Sequence, residues 1–168
     1  VGFRVAYDGN ALVRFDPPAT YTIKGSVDLS QPNGAETLSI NTAYPITWTK
    51  TGNIGDVLIQ MSRDGSTWRD INTVPSGSSP YSWTPSATVA PVIVNADMNA
   101  NIVKVRLTSV VGIPVTDQSA AGFKIIGQIA NVQPNSSATV WYKGENRNIT
   151  WNQVGNMNSV DIYYRISG

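Results

Sequence analysis

Apolar residues recur at every second position through much of this chain, and Gly, Pro, Asn and Asp punctuate the pattern. Alternation of this kind predicts half-buried β-strands, because successive strand side chains point to opposite faces. Val57, Ile59 and Met61 alternate with Leu58 and Gln60 across a strand predicted at Asp56–Ser62. Val103, Val105 and Leu107 alternate with Lys104 and Arg106 in another. A strand over Tyr44–Thr49 places Ile46 and Trp48 on one face. Before it, Val27–Gln31 and Glu36–Ile40 read as one first strand broken by Pro32-Asn33-Gly34. Asp64-Gly65 predicts a tight type I′ hairpin turn, in which both central residues take φ > 0, with the return strand over Thr67–Ile71. Tyr81 and Trp83 lie between Pro80 and Pro85, as in a short edge strand. A last strand runs through Ile113–Thr116 and Gly122–Ile126, and no segment has helical periodicity.

The chain also repeats itself. Tyr21-Thr22-Ile23-Lys24-Gly25 recurs as Phe123-Lys124-Ile125-Ile126-Gly127, and Gln31-Pro32-Asn33 as Gln133-Pro134-Asn135, both at an offset of 102. Ile46-Thr47-Trp48 recurs as Ile149-Thr150-Trp151, and Val57-Leu58-Ile59 as Val160-Asp161-Ile162, at an offset of 103. Upstream, Val1-Gly2-Phe3-Arg4-Val5 matches Val103-Lys104-Val105-Arg106-Leu107. A period near 100 residues is a domain's size and too long for a solenoid repeat. The expected organisation is the final strands of one repeat at 1–26, a whole repeat at 27–128, and the first three strands of another at 129–168. About seven strands in about 100 residues predict an all-β fold of tandem immunoglobulin-like sandwiches. The absence of a cysteine pair and the Trp on the second strand favour the fibronectin type III variant, at about 103 residues per repeat.

Composition narrows the function classes. Charged residues make up 14% of the chain and the net charge is +1, with no run of like charges. A nucleic-acid groove or an anionic-membrane surface needs concentrated basic side chains, so neither partner is indicated. The chain has no Cys and no His, which removes disulfides, thiolate nucleophiles, Ser-His triads and the usual zinc ligands. No apolar run reaches the length of a membrane span.

One set of residues carries a family resemblance. Ile46-Thr47-Trp48, Gly52-Asn53-Ile54-Gly55, the run from Val57 through Asp64-Gly65, Thr67-Trp68, Ile71 and Tyr81-Ser82-Trp83-Thr84-Pro85 resemble the immunoglobulin-like domain of the Ser/Thr-rich GPI-anchored membrane family. Yeast cell-wall proteins of the Kre/Knh type carry a related domain at their N-terminus. Asp117-Gln118-Ser119 and Phe123-Lys124-Ile125 fit the same pattern. The resemblance covers Tyr44 to Ile126. It implies tandem copies in a large microbial surface protein, an extracellular or cell-surface location and a structural or adhesive role. It carries no catalytic residue.

Candidate sites divide between packing and binding. Trp48, Trp83 and Trp151 fall on predicted inward faces and read as core. Trp68, after a hairpin, and Trp141, beside Tyr142, are the candidates for stacking against a cell-surface glycan. Asp8, Asp16, Asp28 and Asp117 lie near the repeat junctions, but their counterparts are not acids, so a recurrent calcium site is not expected. The acids are scattered through turns and outer faces, so neither catalysis nor a cofactor or metal is expected. Lys24 corresponds to Ile126, which argues against a recurrent Lys–Asn crosslink. Asn135-Ser136-Ser137 and Asn148-Ile149-Thr150 match the N-glycosylation sequon.

The junctions carry the strongest functional expectation. Between the last strand of one repeat and the first of the next stand only Gly25 and Ser26, and again Gly127 and Gln128. With no flexible linker, the expected product is a stiff rod or stalk whose partners are neighbouring repeats or identical subunits. Two arrangements complete the part-repeats. Either the polypeptide continues as a covalent array, or the N-terminal strands of one copy complete the C-terminal half of another.

Overall fold

The structure, a computed structural model, describes residues 4–16, 22–93, 100–155, 157 and 159–165. Among them every regular element is a strand. The first five are β1 (Val5–Tyr7), β2 (Asn10–Phe15), β3 (Ser26–Gln31), β4 (Thr37–Ser39) and β5 (Tyr44–Thr51). Next come β6 (Asp56–Ser62), β7 (Trp68–Pro75), β8 (Tyr81–Trp83) and β9 (Lys104–Ser109). The last are β10 (Thr116–Gln118), β11 (Lys124–Ile126), β12 (Gln128–Gln133) and β13 (Thr150–Val154).

The described residues between 26 and 126 form a two-layer sandwich. One sheet has the order β3-β5-β8 and the other β10-β9-β6-β7, all antiparallel. Alternation puts Val27, Leu29, Ile46, Trp48 and Trp83 on the inner face of the first sheet. They share one core with Val57, Ile59, Met61, Val105 and Leu107 of the second. The Trp48 indole N–H is not left orphaned by burial, because it donates to the Ser76 carbonyl at 2.9 Å.

The first and last strands of the sandwich both break, and the two breaks are bonded together. Ser119, fully buried, donates its hydroxyl to the Pro32 carbonyl at 2.7 Å and accepts from the Val105 N–H at 3.0 Å. Asn33 Oδ1 accepts from the Ala120 N–H at 2.7 Å. Glu36 folds the break on itself, its two carboxylate oxygens accepting from the N–H groups of Asn33 and Gly34, each at 2.7 Å. Past the break the chain moves from β3, beside β5, to β4, which pairs in parallel with β11. Asp117 on β10 bridges the sheets, its carboxylate accepting from the Leu29 N–H at 2.7 Å.

Outside the sandwich, pairing registers recur with the sequence offsets. Val27↔Lys50 and Asp28↔Thr49 of β3–β5 correspond to Ile129↔Gln153 and Ala130↔Asn152 of β12–β13. Even the irregularity matches, since Gln31↔Thr47 corresponds to Gln133↔Thr150. The hairpin β1–β2 pairs Val5↔Phe15 and Ala6↔Arg14, where β9–β10 pairs Leu107↔Asp117 and Thr108↔Thr116.

Three expectations are corrected. The hairpin after β6 is not a type I′ turn: Gly65 takes φ of 75°, whereas Asp64 stays out of the left-handed region. The turn is wider than two residues, and the Asp64 carboxylate organises it by accepting from the Thr67 N–H at 2.6 Å and the Ser66 N–H at 2.8 Å. The last strand does not include Ile113–Val115; it is β10 and β11, because the Ser109 hydroxyl accepts from the Val115 N–H and the strand starts beyond it. The C-terminal segment holds two strands among its described residues, not three. Residues 159–165 correspond to β6, which is hydrogen-bonded on both sides by β7 and β9; no strand pairs with them here.

Trp48→Ala should destabilise the sandwich by about 3–5 kcal/mol through loss of buried volume, read from denaturant midpoints. Trp48→Phe should cost about 1–3 kcal/mol, because the Ser76 carbonyl then loses its buried donor. The bonds from Thr67 and Ser66 hold the Asp64 carboxyl well below the usual carboxylate range. Its contribution to stability is therefore complete above that range and is lost as pH falls through it and below. Asp64→Asn should flatten the fall in melting temperature below about pH 4 and leave the neutral-pH slope unchanged.

Candidate functional site

The residues singled out in the sequence fall into three places. Trp48 and Trp83 are buried in the core. Gly25 and Gly127 lie at the two ends of the sandwich, where the chain passes into and out of it. At Gly25 the backbone is packed so closely that a Cβ would collide with the Ile54 side chain and the Thr51 carbonyl. Asp64 and Gly65 shape the β6–β7 turn, where exposed Gly65 supplies the left-handed conformation.

Trp68 lies on the outer face of the larger sheet and is half-buried. Its ring carries the Arg106 guanidinium 4.1 Å from the ring centre. Pairing explains the contact: Ser62 sits opposite both Trp68 and Lys104, and Gln60 opposite both Asp70 and Arg106. Arg106 donates through Nη2 to Gln60 Oε1 at 2.6 Å, and Gln60 Nε2 donates to Asp70 Oδ1 at 2.7 Å. The result is a polar ladder across three strands that closes over one aromatic face. The linear pattern does not single out Arg106, Gln60 and Asp70 as a group. Alternation marks them as outward, but the cross-strand register that joins them is not written in their spacing.

The third place is the C-terminal segment. Trp141 is exposed and Trp151 half-buried, which departs from the inward burial expected for Trp151. Both line an apolar cleft of about 400 Å³ with Ile129, Ile149, Val160 and Ile162. Comparison with the sandwich explains the cleft. Val27 is 4% exposed and its counterpart Ile129 46%; Ile46 is fully buried and Ile149 38% exposed; Ile59 is fully buried and Ile162 56% exposed. Val27 and Ile46 face a second sheet in the sandwich, Ile59 belongs to that second sheet, and the described residues of the segment include no strand at its place. The N-terminal hairpin shows the same condition, with Val5 60% exposed where Leu107 is fully buried.

The acids near the junctions do not converge. Asp16 is clamped by Arg4 at 2.7 Å and Arg14 at 2.8 Å, and these guanidinium groups lower its carboxyl pKa. Asp117 is committed to the Leu29 N–H. Among the described residues no group of three His, Cys, Asp or Glu side chains is placed to hold a metal ion. No helix among them is long and apolar enough to cross a membrane. No family model, curated protein or solved structure matches the chain.

A double-mutant cycle of Trp68→Ala and Arg106→Ala should give a coupling of about 0.5–1 kcal/mol for this partly exposed cation–π pair. A coupling indistinguishable from zero in chemical denaturation would show that the stack does not stabilise the sheet.

Proposed function

We propose that this chain is a segment of tandem immunoglobulin-like sandwiches of the fibronectin type in a long extracellular or cell-surface protein, where it acts as a stiff rod or stalk. The observation that carries this reading is the recurrence of strand register on both sides of the central sandwich, at the offsets of the sequence repeat. Strand order supports the fold assignment: the strand after the β6 hairpin pairs back onto β6, giving a three-stranded and a four-stranded sheet. The repeats are placed at 1–26, 27–128 and 129–168, with about 103 residues per period. The resemblance to the Ser/Thr-rich GPI-anchored membrane family gives the same architecture and supplies the surface setting.

Stiffness follows from the joint. Gly127 alone separates β11 from β12. The first residue beyond it is tied back, since Gln128 Nε2 donates to Thr42 Oγ1 at 3.2 Å. Gly25 is backed by Ile54 and Thr51 at the other end. Joints this short have none of the coil-like reach of Gly/Ser linkers. The role assigned to the chain is mechanical and non-catalytic, and its partners are neighbouring repeats. Glycan contact through Trp68 or Trp141 finds less support. Arg106 occupies one Trp68 face, and Trp141 lines a cleft that a second sheet would cover.

Two measurements on the native polypeptide test the reading. Its denatured mass should greatly exceed the 18.1 kDa of this segment. Its maximum dimension in small-angle scattering should grow in proportion to repeat number, not to the square root as in a flexible chain. A single species near the segment mass would replace the covalent array with copies completed by one another's strands.

A further inference from the structure

Both N-glycosylation sequons fall in the C-terminal segment, and the fold treats them differently. Asn135 and Asn148 are both exposed as the segment stands. Their counterparts in the completed sandwich are Asn33 and Pro45. Asn33 has a structural task there, because its side-chain oxygen accepts from the Ala120 N–H and its own N–H donates to Glu36. A glycan on that side chain would be wedged between the two strand breaks. Pro45 lies on the outer face of the smaller sheet, exposed and opposite Ser82, which is exposed as well. The outward side chains nearby are Thr47, half-buried, and Gln31 opposite it, exposed, with Thr49 and Asp28, also exposed, farther along. Position 45 and all of these neighbours but Thr47 are exposed, so it stands at the solvent side of the sheet.

We infer that Asn148 is an N-linked glycan acceptor and that Asn135 is left bare. The inference rests on the extracellular reading above, since the modification requires a glycosylating secretory route. The acceptor is the Asn148 side-chain amide nitrogen, and the donor class is a lipid-linked oligosaccharide pyrophosphate. The new bond joins Nδ2 to the anomeric carbon, whose bond to the pyrophosphate oxygen breaks. The amide gives up one proton and the lipid pyrophosphate leaves. Thr150 supplies the sequon hydroxyl and is exposed. In the completed fold the glycan stands on the outer face of the β12–β13 sheet, clear of the apolar cleft, so it covers a flank of the rod without blocking its core.

Peptide mapping of the protein recovered from its own cell surface tests this, using an amidase that leaves Asp wherever a glycan was removed. The expected result is conversion at Asn148 with Asn135 unchanged. Unmodified Asn148, or a glycan on Asn135, overturns the inference while leaving the rod reading to the mass and scattering tests. In a glycosylating secretory host, Thr150→Ala should remove one glycan mass from the intact protein and Thr150→Ser should restore it. Loss of that glycan in Asn135→Gln instead would overturn the assignment. Recovery from the cytosol alone would instead defeat the surface location on which the inference stands.

Discussion

A sheet with one apolar face is stable in water only when something dry covers that face. Everything else in this molecule follows from where that condition is met. Between Ser26 and Ile126 two sheets cover each other, and residues such as Ile46, Ile59 and Leu107 lose all contact with solvent. At roughly 25 cal/mol per Å² of apolar surface, that mutual burial is the main favourable contribution to the fold. In the C-terminal segment β12 and β13 pair in the register of β3 and β5, yet Ile129, on β12, and Ile149, just before β13, remain exposed. Strand pairing is thus local, set by β-propensity and register, whereas burial is collective and needs the second layer.

Covering one sheet with another leaves a topological difficulty at the margins. A chain that begins in one layer and ends in the other must cross between them without stranding backbone polar groups. The sandwich solves this by breaking its first and last strands at the same level and joining the breaks. Ser119, Asn33 and Glu36 take up the N–H and C=O groups that neither sheet satisfies there. Glu36 bonds within its own break, whereas Ser119 and Asn33 each bond across 87 residues of sequence and so tie the first break to the last. The Leu29 N–H, next to the irregularity in β3, is met by Asp117 from the opposite layer.

Much of the fold is legible in the residue pattern alone. Alternation locates β3, β5, β6, β8 and β9, because fully buried positions alternate with more exposed ones over most of each strand, and Pro32-Asn33-Gly34 marks the first break. The same pattern turns Trp48 and Trp83 inward, where the structure has them. What the sequence conceals depends on partners. The Asp64 turn departs from expectation because Asp-Gly also suits a wider loop, in which the carboxylate bonds the backbone and only the glycine turns left-handed. Residues 159–165 carry the pattern of β6 but no ladder, since a central strand is defined by neighbours on both sides. Arg106 over Trp68 is likewise a product of register, with no trace in the spacing of two residues so far apart. Trp151 stands at the sequence offset of the core residue Trp48, but it is half-buried and lines the apolar cleft instead of a closed core.

The parallel pair β4–β11 joins a strand near the start of the sandwich to the strand at its end. A pull applied through Gly25 and Gly127 along the strand direction would load the β3–β5 ladder and, beyond it, drag β4 and β11 past each other lengthwise. Their bonds, including Ile40 N–H to the Ile126 carbonyl at 2.9 Å, would then bear the load together. An antiparallel hairpin pulled from its two open ends is peeled one bond at a time. Bonds that must break at once oppose force with a higher barrier than bonds that break in turn, and forced unfolding is governed by that barrier, not by equilibrium stability. A three-residue strand can in this way act as the mechanical fuse of a much larger fold.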